Sequence, residues 1–454
     1  MANVIKLRKG LDINLQGKAE EKKIQLKSNG KFALVPDDFE GVTPKVVVKE
    51  GDHVKAGDAL FVNKQYPEIK FASPVSGTVR EVVRGDRRKV LCVKVDADAQ
   101  QEFTDFGKKD VGSMTGEQVI NALLEAGLFG YINQLPYAVS TNPSVMPKAI
   151  FVSALRDKPL AADFQYEAKG QEQDFVTGIQ ALSKIAKTYV GLGIQPDFQT
   201  VIRQLGIDNF AELNIFDGKC PAGNVGVQVN NVDPVNKGEV VWTIGDPTVV
   251  LFIGRLLNTG KVNLTRTVAL CGSEIKSPAY VDMLVGEELS TLLSNSYDAS
   301  HNVRIINGNV LTGKPTTKDG YLGAHTSEIT VIPEGDQADE FLGWILPRFK
   351  QFSVNRSYFS GLCGKKDYAL DARVKGGERH MIMSGEYDRV LPMDIYGEYL
   401  IKAIIAGDID RQEALGIYEV SPEDFALAEF VDSSILEFQR IVREGLNILR
   451  KENA

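Results

Sequence analysis

The chain has 454 residues, 43% of them hydrophobic, enough for two to four domains each with its own core. Its net charge of −8 argues against nucleic acid or an anionic membrane surface as the main partner, because both recruit basic patches. No stretch reaches the roughly 18 uninterrupted apolar residues of a bilayer span, and the start Met1-Ala-Asn-Val-Ile-Lys6 lacks the apolar core of a secretory signal, so the chain is expected to stay in the compartment of its synthesis and to meet a membrane only through partners.

The first elements are short strands. Lys49-Glu-Gly-Asp-His-Val-Lys-Ala-Gly-Asp-Ala-Leu-Phe-Val62 and Glu68-Ile-Lys-Phe-Ala-Ser-Pro-Val-Ser-Gly-Thr-Val-Arg80 place glycine and proline at turns and Val, Leu and Phe between them. Two quasi-equivalent hairpins can fold over one small core in this way, the layout of a biotinyl/lipoyl-like barrel-sandwich domain. A carrier version presents a modifiable lysine at the tip between the halves. Counting eight positions back from Pro74 puts Tyr66 there, with Lys64 nearby and no flanking methionine, so the barrel is read as a structural and docking module without a carried cofactor.

Residues 96–109 are polar and break the strand pattern, as a linker does. Beyond them, strands are expected at 148–154, 189–194 and 211–216, and helices at 177–187 and 197–205. This alternation argues for a layered, Rossmann-like α/β domain with a largely parallel sheet. Asp246-Pro247 then opens a helix through Leu257, aspartate capping and proline in the first turn. From Val262 short strands return, with one helix expected over 280–293, the proportions of a β-grasp module. A mainly helical tail is expected from about Asp339. Within it, Ser421-Pro-Glu-Asp424 has a capping-box start, and Ile435, Phe438, Val442, Leu446 and Leu449 form an apolar stripe at helical spacing. The domains drawn from these shifts are 1–98 (N-terminal segment and barrel), 99–258 (α/β), 259–336 (β-grasp) and 337–454 (helical).

Several motif-like stretches carry no chemistry. Gly308-Asn-Val-Leu-Thr-Gly-Lys-Pro315 has phosphate-loop spacing but ends in proline, which supplies neither the hydroxyl for magnesium nor an N–H, so a β-turn is expected. Gly191-Leu-Gly-Ile-Gln-Pro196 likewise ends in proline where a dinucleotide fingerprint needs its third glycine. The cysteines Cys92, Cys220, Cys271 and Cys363 are scattered, as free thiols are, without zinc or iron–sulfur spacing. The histidines His53, His301, His325 and His380 are equally dispersed and are expected at the surface or in hydrogen bonds. No metal site and no catalytic residue is assigned.

Five segments together resemble a known family: Ile5-Lys-Leu-Arg-Lys-Gly-Leu-Asp-Ile13, Ala149-Ile-Phe-Val-Ser-Ala-Leu-Arg-Asp-Lys-Pro-Leu-Ala-Ala-Asp163, Lys219-Cys-Pro-Ala-Gly223, Val240-Val-Trp-Thr-Ile-Gly-Asp246 and Gly416-Ile-Tyr-Glu-Val-Ser-Pro-Glu-Asp-Phe-Ala-Leu-Ala428. In order and spacing they look like the A subunit of the sodium-translocating NADH:quinone oxidoreductase, which is similar to the C subunit of the Rnf complex and to the flavin-binding subunit of respiratory complex I. The resemblance implies an SLBB-like identity for the β-grasp unit. It also implies a peripheral place on the cytoplasmic side of a bacterial inner membrane, with the other subunits of the complex as partners, especially the membrane subunit that carries the quinone site. NADH, flavins, iron–sulfur centres and quinone would be handled by those subunits, and NADH-dependent quinone reduction coupled to sodium export would belong to the assembly.

The glycine-rich flavin cradle of the complex I relative would fall at 149–162. Here Ser153-Ala-Leu-Arg-Asp-Lys-Pro-Leu-Ala-Ala162 fills that place with side chains that block close backbone approach to a phosphate. No cofactor in this chain is the resulting expectation, with Arg156 and Lys158 either ion-paired or meeting an anion. One segment, Gly127-Leu-Phe-Gly-Tyr-Ile-Asn-Gln-Leu-Pro-Tyr137, is a candidate quinone contact through Phe129, Tyr131, Pro136 and Tyr137, because flat rings and a phenol donor suit a quinone head. The same turn could instead fill an interdomain seam. Two alternative functions stand beside this one: a chain that itself binds flavin or NADH, and a biotin or lipoate carrier.

Overall fold

Short Val, Leu and Phe runs between glycine turns build two small antiparallel sheets at the front of the chain. This computed structural model describes residues 3–336, 342, 345–354, 358–364, 366–381 and 385–453. One sheet orders Lys31–Leu34, Val90–Ala97, Gly77–Arg84 and His53–Val54; the other orders Pro44–Val46, Ala59–Asn63 and Lys70–Ala72. Their inner faces meet at Phe32, Phe61, Phe71, Val79 and Val93, all buried, with the Phe61 and Phe71 rings stacked at 4.7 Å. The barrel-sandwich expected from the glycine rhythm is present. At its hairpin tip Tyr66 lies half-buried on this core and Lys64 is exposed.

The residues before the barrel belong elsewhere. Asn3–Lys6 pairs parallel to Glu212–Asp217, and Glu20–Ile24 pairs parallel to Ala279–Leu284, so the first 24 residues stitch two later sheets together before the barrel begins. Both strands are largely exposed and carry little apolar alternation, which is why periodicity does not announce them.

The larger sheet has seven strands, ordered Asn3–Lys6, Glu212–Asp217, Lys187–Leu192, Ala149–Ser153, Val241–Ile244, Asn133–Leu135 and Val139–Ser140. The first five run parallel, the 133–135 strand joins antiparallel to 241–244, and 139–140 closes the edge antiparallel to it. Ala149–Ser153 is buried along its whole length, as a central parallel strand covered on both faces must be. Helices Glu172–Ile185 and Thr248–Thr259 cross tightly. A Cβ on Gly254 would lie 1.8 Å from the Asp174 carbonyl oxygen, and one on Gly178 would lie 2.4 Å from that of Val250, so only glycine permits this spacing.

The second sheet orders Lys314–Thr316, Val303–Asn307, Glu328–Pro333, Thr265–Cys271, Ala279–Leu284 and Glu20–Ile24. Here the expected helix over 280–293 is corrected. Ala279–Leu284 is a strand, its Val281 and Met283 buried around an exposed Asp282; Gly286 turns the chain at φ +77, and only Ser290–Leu293 is helical. In the sequence, the leucines that follow this short strand mask its period of two.

Asp339, the expected start of the helical tail, lies outside the described residues. Among the described residues from 342 to 396 no α-helix occurs, the named regular pieces being the short 3-10 turns Phe359–Leu362 and Tyr387–Arg389, and the first α-helix described in the tail starts at Gly397. Gly397–Ala406, Ile409–Ala414, Ala426–Val431 and Phe438–Glu452 then pack together. The predicted stripe holds: Phe438, Val442, Leu446 and Leu449 are fully buried, while Ile435 lies just before the helix. The Ser421 capping box is formed, with Asp424 Oδ2 accepting from Ser421 N at 2.8 Å.

Candidate functional site

From Ala149–Ser153 the chain steps outward through Lys187–Leu192 to Glu212–Asp217, then returns to Val241–Ile244 on the opposite flank of the first strand. The loops leaving 149–153 and 241–244 therefore diverge, and a crevice opens at their carboxyl ends, where open α/β sheets bind ligands. A cleft of about 310 Å³ occupies this place. Its floor is Leu155–Lys158 and Gly245–Asp246; its roof comes from the second sheet unit at 307–309, 312–314 and 325–328, with Asp38 from the barrel and Glu423 from the helical tail at the rim.

The floor is a buried ion network. Arg156 donates to Glu167 Oε2 at 2.7 Å, to Asp246 Oδ1 at 2.8 Å and to Thr248 Oγ1 at 2.8 Å. Arg266, whose side chain is 0% exposed, donates to Asp246 Oδ2 at 2.7 Å and to the Ala324 carbonyl at 2.7 Å. Burial opposes the charge on Asp246, but Arg266 and Arg156 outweigh it and hold the carboxyl well below the usual range. Burial likewise works against Arg156, and Glu167 and Asp246 more than restore its charge. Asp246 Oδ1 also accepts from Thr248 N at 3.2 Å, so the N-terminus of helix Thr248–Thr259, the natural seat of a phosphate, is met by the chain's own carboxylate. The loop at 153–162 is thus ion-paired, one of the two arrangements expected of it, and Lys158 pairs in the same way with Glu423.

The walls hold groups that burial makes reluctant to ionise. His325 is pushed down by burial against the pull of Asp246, and Asp38 is pushed up by burial even though it accepts from Ala324 N. Asp157 is raised to about 6, burial outweighing its bond from Gly223 N and the charge of Lys158. Of the groups in the cleft wall and beneath its floor, Asp38, Asp246, Arg266 and His325 carry no sequence signal for a site, because the groups they face across the cleft lie tens to hundreds of residues away. The linear pattern marks Asp246 only as a helix cap.

The aromatic turn divides. Phe129 is fully buried, its ring edge-on to Trp242 at 5.4 Å. Tyr131 lines the cleft, 2% exposed, wedged among Phe39 at 5.0 Å, His325 at 5.4 Å and Phe252 at 6.0 Å. Its hydroxyl has no hydrogen-bond partner, and burial pushes its pKa up, so it stays a protonated donor. Pro136 is buried behind the 133–135 strand. Tyr137 turns away to the C-terminal helix, where its carbonyl accepts from Arg443 Nη1 at 2.9 Å and its hydroxyl from Asn453 at 3.3 Å. Only Tyr131 of the four reaches the cleft.

The stretch at 308–315 lines the roof as a turn, with Asn309 Oδ1 accepting from Leu311 N and Thr312 N at 2.9 and 3.0 Å. Cys92, Cys220 and Cys271 are buried free thiols and Cys363 an exposed one. His53 bonds Asp98 and His301 bonds Glu274, both at the surface. Among the described residues no group of His, Cys, Asp and Glu is arranged to hold a metal ion, and no helix is long and apolar enough to cross a membrane.

Family profiles described as the NqrA N-terminal barrel-sandwich hybrid domain, the NqrA second alpha/beta domain and the NQRA C-terminal domain match residues 5–98, 114–262 and 267–318. Curated relatives match end to end. The A subunit of the Na(+)-translocating NADH-quinone reductase of Histophilus somni is 34% identical, over 99% of this chain and all of its own length. The proteins of the same name from Haemophilus influenzae and Yersinia pseudotuberculosis are 34% and 32% identical, again over 99% of this chain and all of theirs.

Proposed function

The chain belongs to the family of the A subunit of the Na(+)-translocating NADH-quinone reductase, and from that premise we propose that its cleft contacts quinone through Tyr131 while the electron carriers reside on other subunits. In that role it serves an NADH-quinone reductase of a bacterial membrane, and the activity is a property of the complex. The proposed seat is the cytoplasmic side, held by partner subunits and above all by the one bearing the membrane quinone site. The parallel sheet with its flanking helices is read as Rossmann-like and the second sheet as an SLBB-type β-grasp, with 98, 258 and 336 as the working domain limits.

The observation that carries the quinone reading is the Tyr131 hydroxyl, a buried donor without a partner in the wall of a cleft at the strand ends. A buried donor left unmatched costs roughly 1–3 kcal/mol, and a quinone carbonyl would remove that cost. The absence of a carried flavin is supported by Asp246 and Arg156, which fill the helix terminus where a phosphate would sit. Titration calorimetry with a short-chain ubiquinone analogue tests the reading. Tyr131→Phe should weaken binding by about three- to tenfold, the net worth of one hydrogen bond; unchanged affinity would remove Tyr131 from the site.

A further inference from the structure

The net negative charge of the chain conceals a local reversal. Between Leu342 and Lys366 the sequence holds five Lys or Arg and no Asp or Glu, in a chain where Asp and Glu outnumber Lys and Arg by 60 to 52. The same stretch gathers large apolar side chains that face water: Leu362 is 83% exposed, Ile345 64%, Phe359 56% and Phe349 48%. Two of them are held together. Phe359 N donates to the Pro347 carbonyl at 3.0 Å, closing the two arms of the loop, and the Phe349 and Phe359 rings meet edge to face at 5.8 Å. The base is pinned, since Phe352 packs on Tyr368 at 5.5 Å and on Phe430 at 5.9 Å, against the helical tail. Exposed Lys350 and half-buried Arg348 and Lys366 flank the apolar tip.

We propose that this loop is a lipid contact: its apolar tip enters the headgroup region of an anionic bilayer while Arg348, Lys350 and Lys366 meet the phosphates. A cluster of exposed apolar side chains on a water-facing surface marks an interaction site, and the pairing of such side chains with a mainly basic flank is the pattern of interfacial anchors. From Leu342 to Lys366 the charge is of one sign, exposed Asp367 being the first carboxylate beyond it, and an anionic bilayer surface complements it. Long basic side chains can lie along the apolar tip and still reach the phosphates. The inference goes beyond the quinone reading and does not depend on it.

The test is flotation of the full chain with vesicles of phosphatidylglycerol and phosphatidylethanolamine, against vesicles of phosphatidylcholine alone. Cys363, the exposed thiol beside Leu362, carries an environment-sensitive dye as a second readout. The expected result is binding to the anionic vesicles only, weakening as salt rises, with a blue shift of the dye. Phe349→Ser with Leu362→Ser, and separately Lys350→Glu, should each lower binding about tenfold or more without shifting thermal unfolding, because these side chains already face solvent. Val145→Ser with Met146→Ser, exposed apolar positions elsewhere, should change nothing. Absence of binding, or binding indifferent to the loop variants, would overturn the proposal. So would loop variants that float normally yet fail to associate with the other subunits, an outcome that would make the loop a protein-docking surface.

Discussion

Replacing Asp246 with asparagine keeps the shape of the cleft floor and removes one negative charge from between two buried guanidinium groups. The carboxylate accepts from Arg156 at 2.8 Å and from Arg266 at 2.7 Å, whose side chains are 9% and 0% exposed. After the substitution Arg156 still has Glu167, but Arg266 is left with the asparagine amide oxygen, the Ala324 carbonyl and the Thr248 hydroxyl, all neutral. Removing one partner of a buried pair costs about 3–5 kcal/mol, because the remaining charge stays out of water without compensation. The expected loss is therefore in that range, with Arg266 as the uncompensated member. Urea unfolding followed by fluorescence of Trp242, which is fully buried in the same sheet, measures it. Arg266→Met should also destabilise, and the double variant Arg266→Met with Asp246→Asn should lose clearly less than the two single losses added, since the pair is coupled. A loss below about 1 kcal/mol, or strict additivity, would refute the picture of an ionised carboxylate bridging two arginines.

Phe129→Ala should cost about 3–5 kcal/mol in folding stability, as loss of a fully buried ring does, while Tyr137→Phe should leave quinone affinity unchanged because that hydroxyl faces Asn453 and not the cleft; calorimetry and unfolding on both variants check this. Gly254→Ala should destabilise by about 3 kcal/mol or more in denaturant unfolding, the upper end of ordinary overpacking, since its methyl would press on the Asp174 backbone. Asp424, 1% exposed, has its pKa raised to about 6 by burial from an ordinary 3.8, so between those values the folded state holds a proton that the unfolded state has released. Stability should accordingly be greatest below about 4 as far as this group is concerned and fall as pH rises through 6, by about 3 kcal/mol; Asp424→Asn should flatten that part of a stability-against-pH curve. Intact mass after expression with a biotin or lipoate ligase should show no increment on Lys64, and the purified chain should lack visible flavin absorption.

Local pattern carries the elements that local pattern makes. The apolar run read at 148–154, the helical spacing read at 177–187 and the glycine rhythm of the barrel are written in neighbouring residues; the strand forms at 149–153, and the helix spans 172–185, beginning five residues before the spacing shows it. Arg156 is visible in the sequence as a charged side chain in a place that a phosphate would need empty. Its network is not, because Asp246 is 90 residues away and Arg266, which shares that carboxylate, a further 20, and nothing in a linear pattern says that two loop ends and a second sheet converge. For the same reason the turn at 127–137 can be named as aromatic but not divided into a core ring, a cleft wall and a helix contact. The strands 3–6 and 20–24 escape because their exposed, charged sequences follow no period; their pairing is decided by the sheet edges they complete. The strand at 279–284 is hidden by a run of leucines whose helix is one turn long.

We propose that this chain, as an A subunit of the sodium-translocating reductase, holds no electron carrier of its own. Affinity purification of the tagged chain from detergent-solubilised membranes tests it, with sodium-stimulated NADH:quinone reductase activity assayed on the isolate and flavin assayed on the chain after it is separated from its partners. The activity is expected to travel with the chain, and the separated chain is expected to be colourless. A chain recovered alone from the soluble fraction, carrying stoichiometric flavin, would contradict both halves of the claim.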